Sequence, residues 1–244
     1  MIIAEIGLNH LGQFSNVEKY IDGLKGSKID AISLQIREKE FYKGNNKKLL
    51  LKKEEYELAS RLVKGSNKKF GIAIADEDQI DFLESIGTDF YKIIRNDINN
   101  YSLVEKLSQT QKKVIVSTGL SSDYEISKFV DNYGNKNFVL NHTQLSYDIS
   151  DCNLAAISKM KKNYGLDISF GNHCENKNVI YMSLCYNPSD ILFYVKLDNE
   201  REYPDDKHSL LVEEAASVAE NIKKLRKAIG DGAKISMKNK MESE

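Results

Sequence analysis

The sequence predicts an α/β protein, a (β/α)8 TIM barrel formed by a single domain, and two observations carry this prediction. Eight short apolar runs alternate with eight longer amphipathic segments, and successive runs begin 21 to 38 residues apart. Each connection is therefore long enough for a helix and too long for a hairpin. Of the 244 residues, 41% are hydrophobic, which suffices for one large core. We assign residues 1–230 to the barrel and residues 231–244 to a polar tail that is expected to fray.

The strands are predicted from short runs rich in β-branched and aromatic residues. They cover residues 2–6, 31–36, 69–75, 90–95, 113–118, 138–143, 167–171 and 191–197. An open doubly wound sheet is the alternative arrangement, but it usually carries a glycine-rich phosphate turn after its first strand. The turn after this first strand has the spacing Gly7-x-x-x-x-Gly12, which lacks that pattern and favours the closed barrel.

Helices are predicted between the strands, where apolar residues recur with helical spacing. The predicted helices cover residues 14–25, 54–63, 78–86, 103–107, 123–133, 154–164, 178–186 and 210–229. The segment 37–52 lies between the second strand and its helix. It is long for such a connection, so it is a candidate lid.

Composition excludes several classes of partner. The net charge is -1, from 35 basic and 36 acidic residues, which predicts neither a nucleic-acid nor a membrane partner. No apolar run approaches the roughly 20 residues that cross a bilayer, and the first residues do not resemble a secretory signal. The three cysteines, Cys152, Cys174 and Cys185, have no metal-type spacing, which favours a reduced, cytoplasmic protein.

The first strand and its turn, residues 2–10, are the most informative segment. Gly7 lets the chain turn sharply, so Glu5, Asn9 and His10 should lie at the carboxyl end of a buried strand. The active sites of (β/α)8 barrels are built at these strand ends. The alternative interpretation is a first core strand with a capped turn.

Polar side chains follow the other predicted strands as well, and all four histidines fall among them. Histidine near neutral pH carries protons or binds metals. Lys92 lies inside an apolar strand, which is costly unless the side chain faces a polar site or snorkels to solvent. The segment Ser117–Gly119 precedes a predicted helix and is either a binding site for a phosphate or carboxylate or a helix cap. Further candidates at this rim are Gln35, Arg37, Glu38, Arg95, Asp97, His142, Gln144, Asn172, His173, Tyr194, Asp205 and His208.

With these residues in view, the chain resembles the sialic acid synthase (N-acetylneuraminate synthase) family. Members of this family condense phosphoenolpyruvate with an amino-sugar aldehyde on a (β/α)8 barrel. Residues 3–12 are similar to the family's opening motif, AEIGxNHxG. Further similarities, in chain order, lie at residues 91–93, 97–100, 117–120, 153–157, 172–173 and 197–210.

The resemblance implies roles for individual residues. Glu5 would handle protons or hold the aldehyde, Lys92 would bind phosphoenolpyruvate, and Asp97 stands where the family has a glutamate. His173 matches one of two histidines that hold a divalent metal, Mn or Mg, which polarises the aldehyde carbonyl. Asp205 matches an acid that binds the sugar. The remaining expected substrate-binding residues are Asn9, His10, Gln35, Arg95, Ser117, Thr118, Gln144 and Asn172.

The chain departs from the family pattern mainly at the second and eighth strands. Ser33 replaces a lysine that helps to neutralise phosphoenolpyruvate, and Leu192 replaces a glutamate. Tyr194 replaces the second metal histidine, and tyrosine is a poor ligand until it is deprotonated, so metal binding should be weakened. Arg95 could restore the lost positive charge. The resemblance implies a homodimer, although the family's antifreeze-like C-terminal domain has no counterpart in the 244 residues.

Three hypotheses about function remain at this point. The first is a divergent phosphoenolpyruvate-dependent transferase that makes a nonulosonic, sialic acid-like sugar acid from an amino-sugar. The second is a non-catalytic homologue that binds a sugar or an anionic ligand, which the changes at Ser33, Leu192 and Tyr194 would explain. The third is an altered, metal-independent reaction on a phosphorylated or carboxylated sugar, with Arg95 as the group that binds the anion.

Overall fold

A computed structural model describes residues 1–94, 98–134 and 136–234. Eight parallel strands are hydrogen-bonded in sequence order, and pairing of the first with the eighth closes the sheet into a barrel. The strands are β1 (Ile2–Gly7), β2 (Ala31–Ile36), β3 (Lys69–Ile74), β4 (Phe90–Ile93), β5 (Lys113–Ser117), β6 (Phe138–His142), β7 (Ile168–Gly171) and β8 (Ile191–Lys196). The predicted (β/α)8 barrel is confirmed.

A helix follows each strand and covers the outside of the barrel. The helices are α1 (Phe14–Leu24), α2 (Lys53–Gly65), α3 (Ile80–Ser85), α4 (Tyr101–Gln109), α5 (Asp123–Tyr133), α6 (Ala155–Tyr164), α7 (Asn178–Ser183) and α8 (Val212–Ile229). No helix among the described residues combines the length and the apolar character that crossing a bilayer demands.

Several predicted helix ends differ from the structure by one to three residues. Helix α4 begins at Tyr101 rather than at Leu103, because the Asn100 side chain accepts a hydrogen bond from the Leu103 backbone N–H and caps it. Residues 210 and 211 were predicted as helix, but they form a short strand, β9 (Leu210–Leu211), that pairs with β8. The candidate lid contains a 3-10 helix, Gly44–Leu49.

The strand alternation separates two cores. Side chains that point outward from the strands pack under the helices, as Ile2, Ala4 and Ile6 of β1 do. The inward side chains nearest the amino ends form a separate apolar cluster that fills the barrel, namely Ile3, Ala31, Phe90, Ile115 and Leu192. The inward positions two residues further along the strands are Glu5, Ser33, Lys92, Ser117 and Tyr194. A polar layer therefore lies directly above an apolar plug.

Close packing inside the barrel makes Gly71 of β3 a sensitive position. A Cβ atom added at Gly71 would lie 2.0 Å from Cζ of Phe90, inside the apolar plug. We expect Gly71→Ala to lower the free energy of unfolding by about 1–3 kcal/mol, because overpacking forces neighbouring groups apart. Chemical denaturation at neutral pH measures this change.

The matched control is Gly65→Ala at the end of α2, where an added Cβ meets nothing within 4 Å. Alanine is the better helix former by up to about 1 kcal/mol, so this variant should be no less stable than the parent. Equal stability of the two variants would contradict the packing argument.

Candidate active site

A cavity of about 350 Å³ opens at the carboxyl ends of the strands. Of the residues predicted for the site, five line this cavity: Gln35, Lys92, Ser117, His173 and Asp205. Arg95 and Asp97 lie outside the described residues. Arg37, Tyr147, Tyr194 and His208 also line it. The structure therefore brings these residues together in one cavity at the strand ends, and their roles stay predictions.

Glu5 and Lys92 form a buried ion pair that spans the barrel from β1 to β4. The Lys92 ammonium donates to both carboxylate oxygens of Glu5, at 2.7 and 2.6 Å. The two side chains are only 5% (Lys92) and 3% (Glu5) exposed. Nζ of Lys92 also lies 5.5 Å from the ring centre of Tyr194. Because an ammonium carries three donors and Glu5 takes two, one N–H remains for a ligand in the cavity.

Asn9 and His10 are fully buried and support the surrounding loops. The Asn9 amide donates to the carbonyl of Val195 and to Oγ of Ser209, and its oxygen accepts from the backbone N–H of Asp205. Nδ1 of His10 accepts from the backbone N–H of Gly12 at 2.9 Å. Neither residue lines the cavity, so the substrate contact predicted for them stays a prediction.

Gly7 ends the first strand as its sequence position predicts. Its φ is +55°, and an added Cβ would lie 2.7 Å from Cε1 of Tyr194. Glycine therefore permits both the turn and the close approach of β8. The first strand is fixed against the eighth strand at the height of the site.

The three other predicted substrate-binding residues lie around the cavity wall without lining it. Thr118 donates its hydroxyl to the carbonyl of Asn141 at 2.9 Å. The Asn172 amide donates to the carbonyl of Cys174, and its buried oxygen has no hydrogen bond among the described residues. Gln144 is half-buried in the loop after β6. Their predicted contacts with substrate are not tested by this geometry.

His173 lies in a cluster of aromatic rings that includes a second histidine. The ring centres of His173 and His208 are 4.4 Å apart, and the rings are inclined by 27°. Tyr194 packs edge-on against both, with ring centres 5.6 Å from His173 and 5.0 Å from His208. Tyr194 occupies the strand position predicted to have lost a metal histidine, and His208 brings another imidazole to the same place from the loop after β8.

His208 is buried, but its ring nitrogens lack hydrogen-bond partners among the described residues. It is 4% exposed, and neither ring nitrogen makes a hydrogen bond with a described residue. Oδ1 of Asp205 lies 4.0 Å from Nε2. The pKa of His208 is lowered to about 4, first by burial and then by the nearby Lys92 ammonium. The imidazole is therefore neutral at pH 7, with nitrogens available to a ligand.

Arg37 is a second cation at the cavity; the sequence placed it at the rim, but no role was assigned to it. Its guanidinium donates two hydrogen bonds of 2.9 Å to the Glu38 carboxylate and lies 4.4 Å from the ring centre of Phe41. It follows β2, on which Ser33 stands in place of a lysine. Its position immediately after a barrel strand is the sequence signal that placed it at the rim.

The fold and this site define a class: a (β/α)8 barrel with a polar, acid–base-bearing pocket at the carboxyl ends of its strands. The NeuB family model matches residues 24–234, and the chain belongs to the NeuB family. An uncharacterized protein of Methanocaldococcus jannaschii is 32% identical and is aligned over 97% of this chain and 74% of its own. The N,N'-diacetyllegionaminic acid synthase of Campylobacter jejuni is 25% identical over 100% of this chain and 81% of its own.

Solved structures agree with this family and fold. The sialic acid synthetase of Leptospira borgpetersenii superposes with a TM-score of 0.90 at 27% identity, covering 99% of this chain and 89% of that one. A truncated 3-deoxy-D-arabino-heptulosonate 7-phosphate synthase of Thermotoga maritima has a TM-score of 0.74 at 17% identity, over 94% and 87% of the chains, and shows the fold alone. The resemblance to the sialic acid synthase family is confirmed.

Burial of His10 makes stability depend on pH. Burial lowers the pKa of His10 from 6.5 to about 4, so the unfolded chain binds a proton before the folded chain as pH falls. Stability should therefore fall between pH 6.5 and 4. From pH 7 to pH 5, His10 should account for about 2 kcal/mol of lost unfolding free energy.

The measurement compares the parent with His10→Gln by chemical denaturation at pH 7 and pH 5. Glutamine can accept the Gly12 hydrogen bond but does not titrate. The variant should lose less stability on acidification than the parent. Parallel losses in the two proteins would refute the assignment of a buried, neutral His10.

Proposed function

We propose that this chain is a phosphoenolpyruvate-dependent condensing enzyme that makes a nonulosonic acid from an amino-sugar aldehyde. The observation that carries the proposal is the buried Glu5–Lys92 pair beneath a strand-end cavity in a member of the NeuB family. Relatives of the chain are named as synthases of legionaminic, pseudaminic and sialic acids. Their names support the substrate class, and the sugar itself is left to experiment.

Lys92 and Ser117 are the residues proposed to hold phosphoenolpyruvate. Both line the cavity, and the remaining N–H of Lys92 can donate to a phosphate or carboxylate oxygen. Arg37 lies on the same cavity and can add a second charge if its pairing with Glu38 is exchanged for the substrate. An anionic substrate therefore meets two cations, and the Glu5 carboxylate beneath them is already paired with Lys92.

Glu5 and Lys92 are proposed to act as general base and general acid during condensation. Carbon 3 of phosphoenolpyruvate bonds to the aldehyde carbon, the aldehyde oxygen gains a proton, water adds at carbon 2 and inorganic phosphate leaves. Lys92 can donate a proton to the aldehyde oxygen while Glu5, 2.6 Å away, accepts one from the water that adds at carbon 2. Both groups are then neutral, so neither is left as an unpaired buried charge. Asp205 also lines the cavity, where it is proposed to bind sugar hydroxyls.

His173 and His208 fit a divalent ion, Mn or Mg, and we propose them as its protein ligands. The fit rests on two adjacent imidazoles and on the unsatisfied nitrogens of buried His208. No three His, Cys, Asp or Glu residues among those described are close enough to hold a metal by themselves, so substrate and water would complete the shell. Such an ion would act as a Lewis acid on the aldehyde carbonyl.

The reaction is tested by measuring phosphate release from phosphoenolpyruvate with a panel of N-acetylated amino-sugars and added manganese. Lys92→Met should reduce kcat/KM at least about a hundredfold, because it removes the anion contact and leaves Glu5 unpaired. Lys128→Met, on the exposed side of α5, is the matched control and should retain activity.

Absence of turnover with every sugar, from folded parent protein, would count against this proposal. It would favour the non-catalytic homologue, for which the changes at Ser33 and Leu192 are the specific observation. Calorimetric titration with phosphoenolpyruvate would then show whether the cavity still binds the anion.

The metal ligands are tested separately by calorimetric titration with Mn²⁺, without substrate. His173→Ala and His208→Ala should each weaken binding at least about tenfold, since each removes one imidazole donor. His142→Gln is the control, because Nε2 of His142 is already engaged with the carbonyl of Cys152 at 3.0 Å. Unchanged binding in His208→Ala would exclude His208 as a ligand.

A further inference from the structure

A second cavity, of about 520 Å³, lies on the outer side of β2. It is bounded by the 3-10 helix Gly44–Leu49, the first turn of α2 and the loop that leads from β3 to α3. Its apolar wall consists of Ile36, Leu51, Tyr56 and Phe82, of which the first three are buried. At this volume the cavity falls in the range of small-molecule sites.

The polar part of this cavity is strongly cationic. Five cations line it, namely Arg37, Lys39, Lys47, Lys52 and Lys53, against the single carboxylate of Asp76. Arg37 and Lys39 are paired with Glu38 and Asp78. The other three lysines form no ion pair with a described residue, and Nζ of Lys53 lies 4.8 Å from the ring centre of Phe82. The cavity thus presents positive charge that its own walls do not neutralise.

Two tyrosines in the wall of this cavity make hydrogen bonds to the backbone of residues that line the catalytic cavity. The Tyr42 hydroxyl accepts from the backbone N–H of Arg37 at 3.1 Å, and the Tyr56 hydroxyl donates to the carbonyl of Gln35 at 3.0 Å. Burial raises the pKa of both phenols, so neither adds negative charge. Arg37 lines both cavities. The two cavities are distinct but share one wall residue.

We propose that this second cavity is a binding site for a small amphipathic anion, an aromatic or acyl body that carries one acid group. The apolar body packs on Leu51, Tyr56 and Phe82, and the acid group pairs with Lys47, Lys52 or Lys53. Leu50 stands at the mouth with 51% of its surface exposed, and a bound apolar body would cover it. This proposal does not rest on the proposed condensation reaction.

The probe is anilinonaphthalene sulfonate, an aromatic anion whose fluorescence reports burial. The full chain should bind it saturably with one-to-one stoichiometry and more tightly than the uncharged phenylnaphthylamine. Leu50→Glu should weaken binding at least about tenfold, because it places a carboxylate at the mouth. The double variant Lys47→Glu/Lys53→Glu should weaken it similarly, because two cations become anions.

Matched controls carry the same changes away from this cavity. Leu225→Glu changes a leucine on α8 that is 41% exposed, and Lys162→Glu/Lys227→Glu reverses the charge of two exposed lysines. Both should bind the probe as the parent does, with circular dichroism confirming that all variants are folded.

Three results would overturn the proposal. The first is the absence of saturable binding, or equal binding by parent, cavity and control variants. The second is binding that survives Leu50→Glu but is lost in Lys92→Met, which would locate the probe in the catalytic cavity. The third is a parent dimer that Leu50→Glu converts to a monomer, which would show that a second copy of the chain covers the cavity.

Discussion

The buried ion pair between Glu5 and Lys92 is the constraint around which the barrel is organised. Removing two charges from water is expensive, and the pair persists only because both oxygens of the carboxylate are satisfied by one ammonium. Each residue lies two positions beyond an apolar plug residue, Ile3 in β1 and Phe90 in β4. The strand alternation therefore places the pair directly above the apolar cluster. Removing one partner there would lower the free energy of unfolding by about 3–5 kcal/mol, because the other charge would stay buried and unpaired.

The fold was predictable because it depends on local periodicity. Strand and helix alternation specifies the barrel, and the same period of two places Glu5, Lys92 and Ser117 on its inner face. The neighbourhood of His208 was not predictable, since no periodic pattern fixes the path of the loop that follows β8. That path depends on distant contacts, such as those of Asn9 with Val195 and Ser209.

Loop residues bring to the rim an imidazole and a cation, the two kinds of group that the family resemblance places on strands β8 and β2. Tyr194 holds the strand position expected for a histidine, yet His208 supplies an imidazole 4.4 Å from His173. Ser33 holds the position expected for a lysine, yet Arg37 lines the same cavity after β2. All strand ends and loops of a barrel converge on one rim, so a functional group can move along the chain and still reach the site.

Because Arg37 lines both cavities, a ligand bound in one can change the affinity of the other for its ligand. Its guanidinium is engaged by Glu38 in a bidentate pair, and an anion in either cavity must compete with that carboxylate for the same planar group. A guanidinium drawn toward one cavity is less available to the other. If occupancy of one cavity changes affinity in the other, linkage requires the reverse effect to be equal in free energy. Such coupling would act through one side chain and the end of β2 that Tyr42 and Tyr56 contact, and it would not require movement of the barrel.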